Sequence, residues 1–574
     1  MYLKKSKMSD GRIYLSITEG VYDPVKKRNK TRNVQNLGYL DKLMKEHDDP
    51  IAHFSRVVEE MNQKKKVDKV AYTIEIDGKD RVECNARKNL GYVALSAIYH
   101  ELGINKFLAN RQQSLDVEYN LNAIMRLLVF SQILTPGSKK KAYENREWFF
   151  ERSDFTMTDM YRSLSRIAKY KNALQLWIHE RIAANGGRDT SVVYYDVTNY
   201  YFEIDEQDEL KRKGICKSHT PNPIVQMGLL LDNEGMPMAY QLFPGNANDC
   251  TTLLPVITRI RKEYGAGKVI VVSDKGLNSA KNAYYLANRR GGYVFSQSVR
   301  KGTAELKKYV LDPRGYTQSN DNGYKMKSRQ FTRAVEFEDD NGNVIKANIA
   351  EKQVVVFSPK YAERAKKDRL AAIMKAYSII QNPGKFNKKN TYGAAKYVRQ
   401  LDFDKKTGEI VKAKSVLAFN DALLAEEEKY DGYYVIVTNH QAKPDQWVID
   451  TYHELWRIEE TFRISKSDIE TRPIRASRHD RIEAHFLICF VSLVILRLLQ
   501  KRLNYEFSTT RIINDLANTC CTRVKDNILM IDYPHEDIPA AIGTLLNFDF
   551  SQRFYTQADI KNIFARVKIS PFAQ

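Results

Sequence analysis

The stretch from Ser191 to Glu203, SVVYYDVTNYYFE, is dense in β-branched and aromatic residues and reads as one strand. Apolar neighbours on both sides fix Asp196 in the interior of a sheet, where a carboxylate is costly unless something pairs with it. Two more strand-like runs follow, IVQMGLLLD (224–232) and MPMAYQLFPG (236–245), separated by the hairpin turn NEG. Asp249 suits the N-cap of a helix, CTTLLPVITRIRKEY (250–264). KVIVVSD (268–274) is a short apolar run, as expected of a parallel strand covered on both faces, and it closes on a second acid, Asp274. A helix from Ser279 and a strand, GYVFSQS (292–298), complete the series.

The order β-β-β-α-β-α-β predicts an antiparallel meander followed by parallel strands joined by crossover helices. It is the order of the ribonuclease H-like fold, an α/β mixed sheet. In that order the first and fourth strands lie side by side, so Asp196 and Asp274 emerge at one point. Further on, WVIDTYHELWRIEETFRISKSD (447–468) reads as a single helix. In it Tyr452, Glu459 and Lys466 recur every seven residues, which returns a helix to nearly the same face, about 20° off. Leu455, Ile458, Phe462 and Ile469 form an apolar stripe beside that line, Glu460 points toward water, and Trp456 packs. A helix over the sheet edge would supply Glu459 as a third carboxylate. Three hard oxygen ligands suit Mg²⁺, or alternatively Mn²⁺. Two such ions, about 3.5–4 Å apart, activate the attacking oxygen and stabilise the leaving one in phosphodiester displacement.

Composition frames this reading. A chain of 574 residues is too long for one core, and its net charge of +21 points to a polyanionic partner. Six cysteines form no C-x-x-C pair, which argues against a zinc ribbon or a disulfide framework; adjacent Cys520 and Cys521 read as helix residues. There is no Walker loop, GxGxxG or HExxH motif. The most apolar run, FLICFVSLVIL from Phe486, is shorter than the ~20 residues that span a bilayer and reads as a buried core helix. With no signal-peptide pattern at the N-terminus, the expected location is cytoplasmic and nucleoid-associated, with no membrane partner.

The expected organisation is a small basic N-terminal unit at 1–88, closed by a linker at 64–69, then a helical domain at 89–188. The first part of the catalytic core spans 189–300, a mainly β insertion 301–430, the second part of the core with the glutamate helix 431–500, and a helical C-terminal region 501–574. Within the insertion, GKFNKKNTYGAAKYVR (384–399) carries Lys385, Lys388 and Lys389 with Phe386 and Tyr392 among them. Basic residues interleaved with aromatics suit contact with phosphates and unpaired bases, against the blander reading of a solvated loop.

The motifs YYDVTNYYFE, VVSDKGL and YHELWRIEETFRISK resemble the three acidic motifs of bacterial insertion-sequence transposases of the DDE type. The last is similar to the Y-x2-R-x3-E-x6-K signature of the insertion-sequence-four superfamily, with Tyr452, Glu459 and Lys466 at its spacing. GICKSHTPNPIVQMGLLLD, LFPGNAND, YDGYYVIVTN and RIEAHFLICF also look like segments of that family. The resemblance implies a catalytic triad of Asp196, Asp274 and Glu459. It implies cleavage at element ends by water, then attack of the freed 3′-hydroxyl on target DNA. It also implies an insertion between the second acid and the glutamate, phosphate contacts from Tyr452 and Lys466, and hairpin ends in some relatives. The implied partners are terminal inverted repeats and target DNA; beside that, a homodimer is the expected assembly and the basic N-terminal unit the expected reader of the repeats. One position departs from the signature: its arginine is Leu455 here. Arg463 lies one turn beyond Glu459 on the same face of an ideal helix and is the expected replacement, whereas Arg457 falls on the opposite side. Two alternatives stand beside a transposase: a related nuclease without strand transfer, and a DNA-binding derivative that has lost its chemistry.

Overall fold

A computed structural model describes residues 1–8, 11–23, 28–45, 47, 49–67, 87–214, 222–289, 291–318, 323–381, 396–402, 415–525, 527–569 and 572. The chain divides into two compact units, Met1–Arg81 and Val82–Gln574. In the first, strands Tyr2–Lys7, Ile13–Asp23 and Arg28–Tyr39 form an antiparallel meander. Leu15 and Ile17, alternate residues of GRIYLSI, are fully buried in it. A helix, Pro50–Val67, runs through Lys64–Val67, where a linker was expected. Straight-chain lysines are good helix formers, and nothing at 64–67 breaks the helix.

The second unit is built on a nine-stranded sheet. In chain order its strands are β1 (Val192–Tyr201), β2 (Ile224–Leu231), β3 (Pro237–Pro244), β4 (Ile270–Ser273), β5 (Gly292–Gln297), β6 (Thr317–Gln318), β7 (Lys325–Glu338), β8 (Val344–Phe357) and β9 (Tyr433–Thr438). The spatial order is β6-β7-β8-β9-β5-β4-β1-β2-β3. β1, β2 and β3 are antiparallel neighbours; β4 is parallel to both β1 and β5. The apolar runs at β1, β4 and β5 lie inside the sheet with both faces covered, whereas β3 is its edge. Val193, Tyr195 and Val197 of β1 enter one core with the helices Asp249–Glu263 and Ala280–Asn288. Tyr194 and Tyr200 enter the other, with the helices Leu121–Leu134 and His479–Arg502. Each such fully buried side chain contributes about 1.5–3 kcal/mol.

The structure changes several details of the sequence reading. Asn248 caps the helix at Asp249–Glu263, its side chain accepting from Cys250 N at 3.3 Å, and Asp249 is the first helical residue. The insertion does not stand apart from the sheet. Its long hairpin β7–β8 extends the sheet, and β9 lies between β8 and β5, antiparallel to both. Val354–Val356 and Val435–Val437 are buried runs that need neighbours on both sides. Cys520 and Cys521 lie in a strand, Cys520–Lys525, not a helix. With Ile528–Asp532, Phe554–Thr556 and Arg87–Asn89 it makes a four-stranded sheet, so the C-terminal region holds strands as well as helices.

The helix His479–Arg502 is long and apolar enough to cross a membrane by length and composition, but 89% of its apolar window is buried within the protein. It packs on the helices Leu121–Leu134 and Met157–Lys169 and on β3, as the core helix read from the sequence.

Candidate active site

The parallel pairing of β1 with β4 places Val192 opposite Ile270 and Tyr194 opposite Val272. Continuing that register by two residues sets Asp196 level with Asp274, where β4 has just ended. Both are half-buried. Asp196 is the break in an otherwise buried run from Val192 to Tyr200. Asp274 accepts a hydrogen bond from Gly276 N at 2.8 Å, which aims the carboxylate at the turn after the strand.

The stretch that carries Glu459 is not one continuous α-helix. A helix, Asp445–His453, ends in a tight turn at Glu454 and Leu455. There Leu455 N bonds Tyr452 O at 3.1 Å, Arg457 N bonds Glu454 O at 3.1 Å and Ile458 N bonds Leu455 O at 3.2 Å. A second helix, Trp456–Arg463, follows and loosens into a π turn at Ile464–Asp468. Three-residue turns advance the chain faster than an ideal helix and π turns slower, so a straight-wheel projection fails at both ends.

Tyr452 and Glu459 nevertheless share one cleft, of about 630 Å³, with Asp274. Burial, together with the nearby Asp274 and Glu459 carboxylates, raises the pKa of the Tyr452 hydroxyl above the usual tyrosine value, against the bond from Ser296 that lowers it. Tyr452 is therefore a neutral donor at physiological pH. Lys466 takes a different course. Its Nζ donates to Thr198 Oγ1 of β1, and it lies 5.4 Å from the ring centre of Tyr200. Thr198 is one pleat along from Asp196 and on the same face, so the ammonium sits beside the first acid. Ser465 anchors the π turn to the same strand through the Tyr200 hydroxyl, at 2.9 Å.

The neighbours of Glu459 diverge. Glu460, expected to face water, turns inward and pairs with Arg497 at 3.1 Å, with side-chain exposures of 28% and 4%. Trp456, expected to pack, is 53% exposed. Leu455 is buried and borders the cleft. Arg457 leads away from the cleft: its Nη1 donates to Asn233 O in the β2–β3 turn at 2.8 Å, and its Nε pairs with Glu454. Arg463 is half-exposed and pairs with Asp468 at 3.3 Å, a partner five residues on that the π turn brings within reach. Lys385, Phe386, Lys388, Lys389 and Tyr392 lie outside the described residues.

Cleft residues that sequence reasoning missed come from both the sheet and the insertion, the latter giving Tyr324, Lys360, Tyr361 and Arg364. Lys275, Arg300, Lys360 and Arg364 line it with Tyr324, Tyr361 and Tyr434. Tyr434 hydrogen-bonds both the Tyr324 hydroxyl and His453 Nε2, each at 3.0 Å. The clustered tyrosines of YDGYYV were a visible signal, but only the folded sheet shows that they face Glu459. The donor set suits a hard divalent cation in kind, and the two aspartates are level. Among the described residues, however, no three His, Cys, Asp or Glu side chains are gathered closely enough to hold a metal ion.

A family model described as transposase DDE domain matches residues 202–495, a span that holds Asp274 and Glu459 and begins just after β1. A second, described as IS1634 family transposase, N-terminal domain, matches residues 3–70. No curated protein matches this chain. Among solved structures, the cryo-EM structure of the piggyBac transposase synaptic complex with hairpin DNA is similar over 80% of this chain and 75% of that one, at 7% identity and a TM-score of 0.29, a likeness too slight to carry an argument. Since the DDE model covers more than half of the chain and the second model the start of it, the chain belongs to the bacterial insertion-sequence DDE transposases.

Proposed function

We propose that the protein excises an insertion-sequence element and joins it to target DNA, by metal-dependent phosphodiester hydrolysis followed by strand transfer. The observation that carries this is that the register of the parallel strands β1 and β4, continued two residues, sets Asp196 level with Asp274 just past β4, at a basic cleft that also holds Glu459. The order β3-β2-β1-β4-β5, antiparallel then parallel, supports a ribonuclease H-like core.

Asp196, Asp274 and Glu459 are the residues that would hold Mg²⁺ or Mn²⁺, as two ions by the precedent of paired-ion phosphoryl transfer. The bound metal would lower the pKa of the attacking water and neutralise charge on the leaving oxygen. Glu459 is exposed and is not gathered with the aspartates in this structure, so DNA binding is what would bring the three acids together. Tyr452 donates its hydroxyl to a phosphate at the cleft, and Lys466 supplies a point charge next to Asp196. The cleft cations hold the backbone, and Lys385, Phe386, Lys388, Lys389 and Tyr392 add contacts from the insertion. The N-terminal unit reads the terminal repeats, and a homodimer brings two ends together.

The test supplies Mg²⁺ and a duplex bearing the repeats that flank the gene. Joined products support the proposal. Cleavage without joining would mean a nuclease, and binding alone a DNA-binding derivative.

Arg463 is assigned the phosphate contact missing at Leu455. The contact requires the arginine to leave Asp468, which Thr509 also holds, at 2.6 Å. Arg463→Ala should reduce cleavage and joining more than about tenfold, the loss of one charge-assisted contact. Arg457→Ala should leave the contacts to DNA intact, because that side chain faces the β2–β3 turn. Equal behaviour of the two variants on an assembled end complex would sink the assignment.

A further inference from the structure

Away from the acids, a cavity of about 250 Å³ opens between the segment around Lys139 and the loop that leads into the helix His479–Arg502. Its charged lining is Lys139, Arg472, Arg475 and Arg481, against one acid among the described residues, Glu470. Such an excess of cations in a confined space is costly unless an anion offsets it.

The floor of the cavity is built rather than incidental. Lys139 exposes part of its stem but sinks its ammonium, and burial holds its pKa below the usual lysine value. The ammonium donates to Gln132 Oε1 at 3.0 Å and lies 3.3 Å from His485 Nδ1. His485 Nε2 is 2.9 Å from Thr471 O, so that nitrogen carries the proton and Nδ1 accepts from Lys139. Burial and the Lys139 charge hold the imidazole neutral, its pKa lowered to about 3. Neither neighbour therefore supplies a negative charge.

Of the walls, Arg481 is partly buried and packed, whereas Arg475 is exposed at the mouth. Arg481 lies 5.2 Å from the ring centre of Tyr161, and its Nε is buried with no hydrogen-bond partner. Among the described residues neither Arg475 nor Arg481 forms an ion pair. An added Cβ at Gly137 would lie 3.7 Å from Arg475 Nη1, so that guanidinium reaches across the mouth of the cavity. The loop is tied down by Ile474 N to Tyr201 O at 3.2 Å and by Lys211 Nζ to Ser477 O at 3.1 Å.

We propose that this cavity is a phosphate seat, with Lys139 at its floor and Arg475 and Arg481 as its walls. It holds one backbone phosphate of the duplex whose end lies at the acids. This rests on the transposase reading given above. Ile474 bridges Phe202, six residues beyond Asp196 along one extended chain. At about 3.3 Å per residue that is roughly 20 Å, or about six base pairs of a duplex that repeats every ~34 Å. Lys139 and Tyr161 lie outside the matched DDE domain, so the seat also links that domain to the helices before it.

The test uses the full-length protein and repeat-end duplexes that each carry one neutral methylphosphonate, with binding measured without divalent metal. Neutralising the phosphate about six base pairs from the cleavage point should weaken wild-type binding roughly tenfold, as loss of one charge-assisted contact does. In the Arg475→Gln/Arg481→Gln variant the same substitution should cost nothing further. A second arm adds inorganic phosphate at constant ionic strength, which should raise the melting temperature of the wild type but not of Lys139→Gln. Phosphate stabilisation without coupling to any methylphosphonate position would keep the seat but overturn its backbone role in favour of a free phosphate ester. Absence of both effects overturns the seat. Because binding is read without metal, failure of the cleavage reading leaves this result standing.

Discussion

Asp196→Asn, Asp274→Asn and Glu459→Gln should each lower cleavage by at least about a thousandfold while leaving binding of the repeat duplex within about twofold. Metal-assisted charge stabilisation is worth several kcal/mol, and each 1.4 kcal/mol is a factor of ten in rate. Affinity, by contrast, comes mainly from lysine and arginine on phosphates, which these changes do not touch. None of the three should unfold the protein, since Asp196 and Asp274 are half-buried and Glu459 is exposed. Normal cutting by any one variant, measured with Mg²⁺ on a pre-bound end, would remove that residue from the site. A common loss of binding would instead mean that the acids shape the DNA surface.

Glu460→Ala should behave in the opposite way. It should destabilise the protein by about 2–4 kcal/mol and lower the melting temperature by several degrees, with chemistry preserved in the fraction that stays folded. The sequence reading placed Glu460 in water and would predict little effect. In the structure it is the partner of Arg497, which is 4% exposed inside the core helix. Removing the glutamate leaves a cation in an apolar interior. The estimate sits below the full cost of breaking a buried pair, because Glu460 is 28% exposed and Gln500 Oε1 still accepts from Arg497 at 2.8 Å. Replacing both residues, Glu460→Leu with Arg497→Met, should recover most of the loss, since apolar side chains of similar size carry no desolvation cost. Unchanged stability of Glu460→Ala would show that the ion pair contributes nothing. Two adjacent glutamates thus separate by assay, one through rate and the other through melting.

That contrast marks where sequence reading stops. Continuous apolar, β-branched runs and a tight turn were enough to locate β1 to β5 and to put an acid inside one strand and at the end of another. The signal is local, because a strand buried on both faces must be apolar along its length, and a carboxylate within it stands out. The buried helix His479–Arg502 was legible for the same reason. The partners of each element were not. Arg497 lies 37 residues from Glu460, and no local pattern states that the two meet. The tight turn at Glu454–Leu455 and the π turn at Ile464–Asp468 were also hidden. The π turn is anchored at distant points, Lys466 to Thr198 and Ser465 to Tyr200, and a helical wheel assumes that no such anchors exist. Sequence by itself determined which residues needed burial and which strands carried the acids. Tertiary structure alone decided which face each glutamate presents, that β9 joins the sheet between β8 and β5, and that insertion tyrosines border the cleft. The reason is physical: hydrophobic patterning encodes how much of a residue leaves water, whereas the identity of its neighbours is set by packing between segments far apart in the chain.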